Sequence, residues 1–181
     1  MYDILVNKEY GLPNDYIPQD LVEIDKKYSI KGLAKKDAVE AFIKMANDAL
    51  KYNLHIINES AYRSFDRQKE LYDTEYKISG TKANDTIALP GHSEHQTGLA
   101  FDLCTDTNDM YSFGNTNEFI WLSKHAHEYG FILRYPKGKE NITGYKYEPW
   151  HYRYLGIDLA TKVYESGLTY DEYHEKSSKV I

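Results

Sequence analysis

Five side chains in this sequence could act on one another: Arg63, His95, Asp102, Glu148 and His151. Two imidazoles and one carboxylate form a nitrogen, nitrogen, oxygen donor set, which suits a catalytic zinc ion that keeps its fourth position open for water. That water needs a group to take its proton and later deliver it to a leaving amine. Glu148, three residues before His151, is the candidate general base and acid. Arg63 is permanently charged and donates in a fork, which suits the oxyanion of a tetrahedral intermediate. The chemistry would be metal-assisted amide hydrolysis.

Each residue also has an ordinary reading. In "GHSEHQTGLAFDL" (91–103) a histidine near an aspartate is more often a hydrogen-bonded pair than a pair of ligands, and "AYRS" can be a strand end with a salt bridge. The HExxH spacing of many zinc peptidases is absent. Asp102 still asks for an explanation, because a bare carboxylate among buried apolar neighbours is costly unless something cationic or hydrogen-bonding meets it. His92, His125 and His127 read as loop and helix-surface residues; the last two, two apart on a helix, cannot share a face. Cys104 is the competing nucleophile. It lies inside an apolar strand beside a carboxylate, which raises a thiol pKa, rather than at a helix N-terminus or beside a cation.

The elements that must position these groups follow from pattern. Residues 7–32 carry turn formers and little periodicity and read as an irregular arm. From 36 to 52, Val39, Phe42, Ile43, Ala46, Ala49 and Leu50 recur at helical spacing, with Asp37 at the positive end. "LHIINESAYR" (54–63) reads as a strand ending at Arg63, Ser64 as the cap of the helix "FDRQKELYDTEYKIS", and "GTKANDTIALPG" as a loop. "GLAFDLCT" is a second strand, in which alternation puts Asp102 and Cys104 on one face and Phe101 and Leu103 on the other. "NTNEFIWLSKHAHEYG" reads as a helix capped by Asn115 with Glu118 and closed by Gly130. "FILRYP", a polar hairpin-like segment "KGKENITGYK", and "YEPWHYRYLG" follow, then a helix near 158–166 and a last one with a Thr169/Glu172 capping box. Residues three apart on a flat strand face opposite ways, so Glu148 and His151 converge only if the chain bends, and Pro149 gives it a reason to. The class is α+β: a small antiparallel sheet with helices packed on one side.

Composition narrows the partners. The 181 residues carry 22 basic and 28 acidic side chains, a formal charge of -6, which argues against nucleic acid or an anionic membrane surface. No apolar run reaches the roughly 20 residues of a membrane span, and no signal peptide is legible. A complete chain of this kind would act in the cytoplasm. The apolar start "MYDILVNKEYGLP" also suits an ectodomain trimmed behind an anchor, which would act at the cell wall. One cysteine excludes an internal disulfide and a cysteine-built zinc site. The 18 tyrosines read as core packing before a stacking surface. Oligomeric state is not legible.

Three blocks, "SAYRSFDRQKELYD", "LPGHSEHQTGLAFDL" and "YEPWHYRYLG", resemble the signatures of the VanY/VanXY-type D-alanyl-D-alanine carboxypeptidases, which the LdcB-type L,D-carboxypeptidases share. The combination SxHxxGxAxD (93–102) with ExWH (148–151) is specific, and the resemblance runs from "LVNKEYGLP" to the end. It implies a single zinc peptidase domain over 1–181, with 1–32 an arm wrapped on it, in the hedgehog/D-Ala-D-Ala-peptidase fold group. It further implies zinc ligands at His95, Asp102 and His151, Glu148 as catalytic base, Arg63 polarising the scissile carbonyl, and Gln68 and Ser93 on the substrate's terminal carboxylate. The implied partner is a peptidoglycan stem peptide or D-Ala-D-Ala. The implied activity is removal of terminal D-Ala from stem peptides, with the free dipeptide as a further substrate. An L,D-carboxypeptidase acting on tetrapeptide stems and a catalytically silent zinc domain that binds wall peptide stay open as alternatives. Trp150 is expected to wall the site or pack beneath it, desolvating Glu148, with a plain core aromatic as the alternative.

Overall fold

The structure is a computed structural model that describes residues 2–178; the ends of the expected 1–181 domain, Met1 and residues 179–181, lie outside the described residues. Its centre is a four-stranded antiparallel sheet of β3 (Ile57–Ser60), β4 (Ala100–Cys104), β5 (Phe131–Tyr135) and β6 (Glu148–Tyr154), in the order β3-β4-β6-β5. A separate two-stranded sheet joins β1 (Leu21–Glu23) to β2 (Leu33–Lys35). The helices are α1 (Lys36–Leu50), α2 (Phe65–Ser79), α3 (Asn117–His125), the single turn α4 (Glu140–Thr143), α5 (Ile157–Ser166) and α6 (Tyr170–Ser178). Among the described residues no helix is long and apolar enough to cross a membrane.

Strand alternation divides the sheet between core and chemistry. Phe101 and Leu103 of β4 are fully buried in the main core. Phe101 meets Phe42 of α1 at 5.2 Å and Phe131 of β5 edge-on at 5.4 Å. Burying such a ring contributes about 1.5–3 kcal/mol. Asp102, between the two, turns to the opposite face and pairs across the ladder with His151 of β6. A smaller cluster of Ile132, Leu155, Ala160, Val163 and Tyr170 seats α5 and α6.

Two irregularities shape the site face. Between Leu133↔Tyr152 and Tyr135↔Glu148 the register shifts by two residues, so β6 bulges over Pro149–His151. This is the bend that Pro149 suggested; it turns Glu148 toward His151. A second shift between Asn58 and Ser60 bulges β3 at Glu59.

The structure corrects several local expectations. The arm over 7–32 is not wholly irregular, since Leu21–Glu23 pairs with Leu33–Lys35 and Ser29 bridges to Asn58. The first central strand covers only Ile57–Ser60, which leaves Arg63 beyond its end, and the loop after α2 begins with a 3₁₀ turn over Gly80–Asp85. Thr116, not Asn115, caps α3 by accepting from the Phe119 N–H, because Asn115 closes the preceding 3₁₀ turn. Glu118 is then free to accept from the His55 N–H instead. The segment 137–146 contains α4 rather than a plain hairpin. The Ser64 cap and the Thr169/Glu172 capping box form as their spacing demands.

Candidate active site

The bulged end of β6, the middle of β4 and the 3₁₀ turn Glu94–Thr97 bring three ligand-type atoms together. One atom each from His95, Asp102 and His151 lies within 4.8 Å of the others, and all three residues are buried. Asp102 Oδ2 is 3.0 Å from His95 Nε2, and Asp102 Oδ1 is 3.0 Å from His151 Nδ1. The far nitrogen of each ring is occupied: His95 Nδ1–H donates to the Ala61 carbonyl at 2.6 Å, and His151 Nε2–H to Glu94 at 3.3 Å. Both near nitrogens are therefore held facing the carboxylate, the donor chemistry that a borderline divalent cation needs. The set fits zinc.

Electrostatics agree with that geometry. Burial works against the Asp102 carboxylate, but the two imidazoles outweigh it and hold it far below the usual range. Burial also opposes charge on His151, yet the hydrogen bonds to Asp102 and Glu94 push the ring up to about 9. His95 goes the other way, lowered chiefly by burial. A cation at the junction would take the place of the shared proton.

Glu148 stands beside this junction, its Oε2 3.7 Å from His151 Nδ1. Burial pushes its carboxyl up to about 7, with Asp102 and Glu94 adding to the rise and His151 and Arg63 opposing it. Trp150 lines the same cleft and packs edge-on to Tyr111 at 5.4 Å, so it walls the site as expected. Arg63 reaches in from beyond β3, with NH2 3.7 Å from Asp102 Oδ2. Its NH1 donates to Gln68 Oε1 at 2.9 Å, and Gln68 Nε2 donates to the Ala88 carbonyl at 2.7 Å. Gln68 and Ser93 are buried and line the cleft. The cleft, about 580 Å³, thus collects all seven site residues expected from sequence.

The remaining candidates separate from it. His92 ties Nδ1 to the Asn7 carbonyl at 2.8 Å, and His125 pairs with Glu128 at 3.2 Å. His127 is not a free surface residue, since it stacks on Tyr164 at 3.8 Å. Cys104 is 2 % exposed, and burial together with Glu59 pushes its thiol up to about 12.

Sequence reasoning passed over two groups. Tyr111, Tyr135, Tyr145 and Tyr147 line the cleft, so the tyrosines are not only core packing. Glu94, Arg134 and Arg153 are buried behind His151, and burial of the Glu94 carboxylate is overcome by the two arginines, which hold it well below the ordinary range. A lone charge inside "FILRY" and another inside "HYRYLG" were the available signals, because a strand buries such a charge only against a partner.

Known proteins resemble this chain over most of its length. YodJ of Bacillus subtilis (strain 168), provisionally named as a carboxypeptidase, is 44% identical over 97% of this chain and 68% of its own length. A D-alanyl-D-alanine carboxypeptidase of Enterococcus faecalis (strain ATCC 700802 / V583) is 36% identical over 94% of this chain; the chain spans 64% of that protein's length. Among solved structures, the LdcB LD-carboxypeptidase superposes with a TM-score of 0.89 at 42% identity, covering 95% of this chain and 85% of that one. VanYB in complex with D-alanine-D-alanine gives 0.81 at 34% identity, with 95% and 96% covered. A variant of the vancomycin-resistance D,D-pentapeptidase VanY in complex with Zn(II) gives 0.81 at 36% identity, with 94% and 97% covered. Residues 31–157 match the VanY family of D-alanyl-D-alanine carboxypeptidases, and the chain belongs to that family.

Proposed function

We propose that this protein is a zinc D,D-carboxypeptidase that removes the terminal D-Ala from peptidoglycan stem peptides, with the free D-Ala-D-Ala dipeptide as a further substrate. The observation that carries the reading is the buried His95–Asp102–His151 junction, with Glu148 beside it and Arg63 opposite, all opening into one cleft. The Zn(II) and D-alanine-D-alanine complexes of VanY relatives support the same metal and the same class of ligand.

In this reading His95, Asp102 and His151 would hold the ion. When bound, zinc supplies Lewis acidity and eases ionisation of the attacking water. Glu148, its pKa raised by burial, accepts the water's proton and returns it to the departing D-Ala amine. Arg63 donates to the carbonyl oxygen as negative charge develops there. Gln68 steadies Arg63 and keeps its second N–H for the substrate's terminal carboxylate, which Ser93 also meets. Residues 1–181 act as one domain, with the N-terminal arm laid across it. The site of action, cytoplasm or wall, follows the substrate: free dipeptide inside, stem peptide outside.

The LdcB likeness, 0.89 against 0.81 for VanYB, favours a second reading, an L,D-carboxypeptidase that trims tetrapeptide stems by the same chemistry. Mass spectrometry of purified protein with dipeptide, tetrapeptide and pentapeptide, with and without chelator, separates the two. Chelator-sensitive loss of one D-Ala from pentapeptide is the expected result. Cleavage of tetrapeptide alone selects the second reading, and zinc binding without D-Ala release from any of the three selects a silent wall-peptide-binding domain.

A further inference from the structure

Behind the metal-ligand face lies a buried ionic network that the reaction itself does not use. His151 and Arg153 are two apart on β6 and share a face, and Arg153 pairs across the ladder with Ile132, two residues before Arg134 on β5. The two guanidinium groups therefore project on the same side as His151. Glu94 meets both of them there: its Oε1 accepts from Arg134 Nε and from Arg153 NH1, each at 2.8 Å. Its other oxygen, Oε2, faces His151 Nε2 at 3.3 Å. The side chains of Glu94, Arg134 and Arg153 have no solvent exposure.

The arginines are in turn anchored outside the sheet. Arg134 NH1 and NH2 both donate to Asp171 of α6, and Asp171 accepts from Asn7 Nδ2 at 2.9 Å. Arg153 NH2 donates to the carbonyls of Tyr2 and Ile4, at 2.9 and 2.8 Å. One carboxylate thus has one oxygen on two immobilised forks and the other on a single imidazole nitrogen. A buried ion network is weak evidence of stability, since apolar residues of similar volume often serve as well or better. What apolar residues cannot supply is an acceptor that fixes which imidazole nitrogen carries the proton. Carboxylate or carbonyl partners of this kind set the tautomer and orientation of metal-bound histidines.

We propose that Glu94 is a positioning residue for His151: clamped by Arg134 and Arg153, it holds the Nε2–H and turns Nδ1 toward the His95/Asp102 junction. The clamp ties the N-terminal segment and α6 to the metal site from behind. His95 is held differently, through Nδ1–H to the Ala61 carbonyl, so it offers Nε2. The two histidines are thereby committed to coordinate through different nitrogens. This inference rests on the metal reading given above.

The test uses the full chain as wild type, Glu94→Gln and His151→Ala. Zinc affinity is measured by competition with a chromophoric chelator, and ligand geometry by the visible spectrum of the cobalt(II)-substituted protein. Glu94→Gln is expected to weaken zinc roughly 10- to 100-fold and to shift the cobalt bands. Unchanged affinity and an unchanged cobalt spectrum in a folded Glu94→Gln protein overturn the proposal. His151→Ala separates the two layers, because undiminished zinc binding in that variant removes the metal reading itself. A measurement on the wild type does not depend on any variant folding: histidine nitrogen NMR of the zinc-loaded protein. One metal-bound ring should coordinate through Nδ1 with a slowly exchanging Nε2–H, and the other through Nε2. Two rings both bound through Nε2 overturn the assignment.

Discussion

Glu148 Oε2 lies 3.7 Å from His151 Nδ1, although the two residues are three apart on one strand. The two-residue slip of β6 against β5 makes this possible, placing the proposed proton acceptor against a proposed ligand histidine where a flat strand would have separated them. Proline at 149 suits the bulge, since it has no N–H to give to the ladder.

Replacing that acceptor tests its role directly. Glu148→Gln keeps the shape of the side chain and leaves His95, Asp102 and His151 untouched. The expected outcome is zinc content near that of the wild type with turnover of stem peptide reduced roughly 100- to 10,000-fold. Metal analysis alongside steady-state kinetics checks it; wild-type turnover in the variant removes Glu148 as the base.

The pH dependence has a defined sign. Burial raises the Glu148 carboxyl from 4.5 to about 7, and a base works only when ionised, so kcat/KM climbs as pH rises through its pKa. A bound cation favours the ionised form, which draws the ascending limb down into the interval between those two values. Without the cation the raised pKa also makes the fold lose some stability as pH rises across that interval, because the native state then holds a proton the unfolded chain has released. A pH–rate profile in which kcat/KM falls between pH 5 and 7 contradicts the assignment.

Gly98 links the site to the scaffold. It closes the Glu94–Thr97 turn with φ +68, and a Cβ there would lie 2.9 Å from Leu21 Cδ2 and 3.2 Å from Lys35 Cγ. Gly98→Ala is expected to lose about 1–2 kcal/mol from the left-handed backbone alone, and more from the clash with β1 and β2. Denaturant titration of wild type and variant measures the loss, and equal midpoints would show that the turn adapts freely.

How much of this was legible beforehand depended on whether the signal was local. The α1 stripe of Val39, Phe42, Ala46 and Ala49, the Ser64 cap and the alternation around Asp102 are properties of neighbouring residues, and each formed. Arg63, His95, Asp102, Glu148 and His151 stood out as candidates because their types are rare in apolar surroundings, whereas Gln68 and Ser93 were named only through the resemblance that three sequence blocks carried. Pairings across long separations were not legible. Nothing near Leu21 announces Lys35, and Asn115 and Thr116 are both good cap residues until the preceding 3₁₀ turn claims the first. Glu94 went unread for the same reason: its partners Arg134 and Arg153 lie 40 and 59 residues away.

Cys104 distinguishes metal chemistry from thiol chemistry. It is 2 % exposed and its thiol is pushed up to about 12, so almost none is thiolate near neutral pH. Iodoacetamide should leave native protein unmodified at this residue and fully active, while a chelator abolishes turnover. Mass mapping of the alkylated protein with a parallel activity assay reads both, and thiol-dependent inactivation without chelator sensitivity would return the cysteine reading.

Arg63 and Gln68 should behave as one unit in turnover and as two in binding. Gln68 Oε1 accepts from Arg63 NH1, and one Gln68 N–H is fixed on the Ala88 carbonyl, which leaves its other N–H for a substrate carboxylate. Arg63→Lys loses the fork and is expected to cut kcat roughly 100- to 1,000-fold, the cost of removing one oxyanion donor. Gln68→Ala loses both the carboxylate contact, which raises KM, and the anchor of Arg63, which lowers kcat. In the Arg63→Lys background the fork that Gln68 steadied is gone, so Gln68→Ala should still raise KM while its effect on kcat largely disappears. A double-mutant cycle on each constant separates the two contributions. Full additivity in kcat would mean that Gln68 does not act through Arg63, and an unchanged KM would mean that the terminal carboxylate is bound elsewhere.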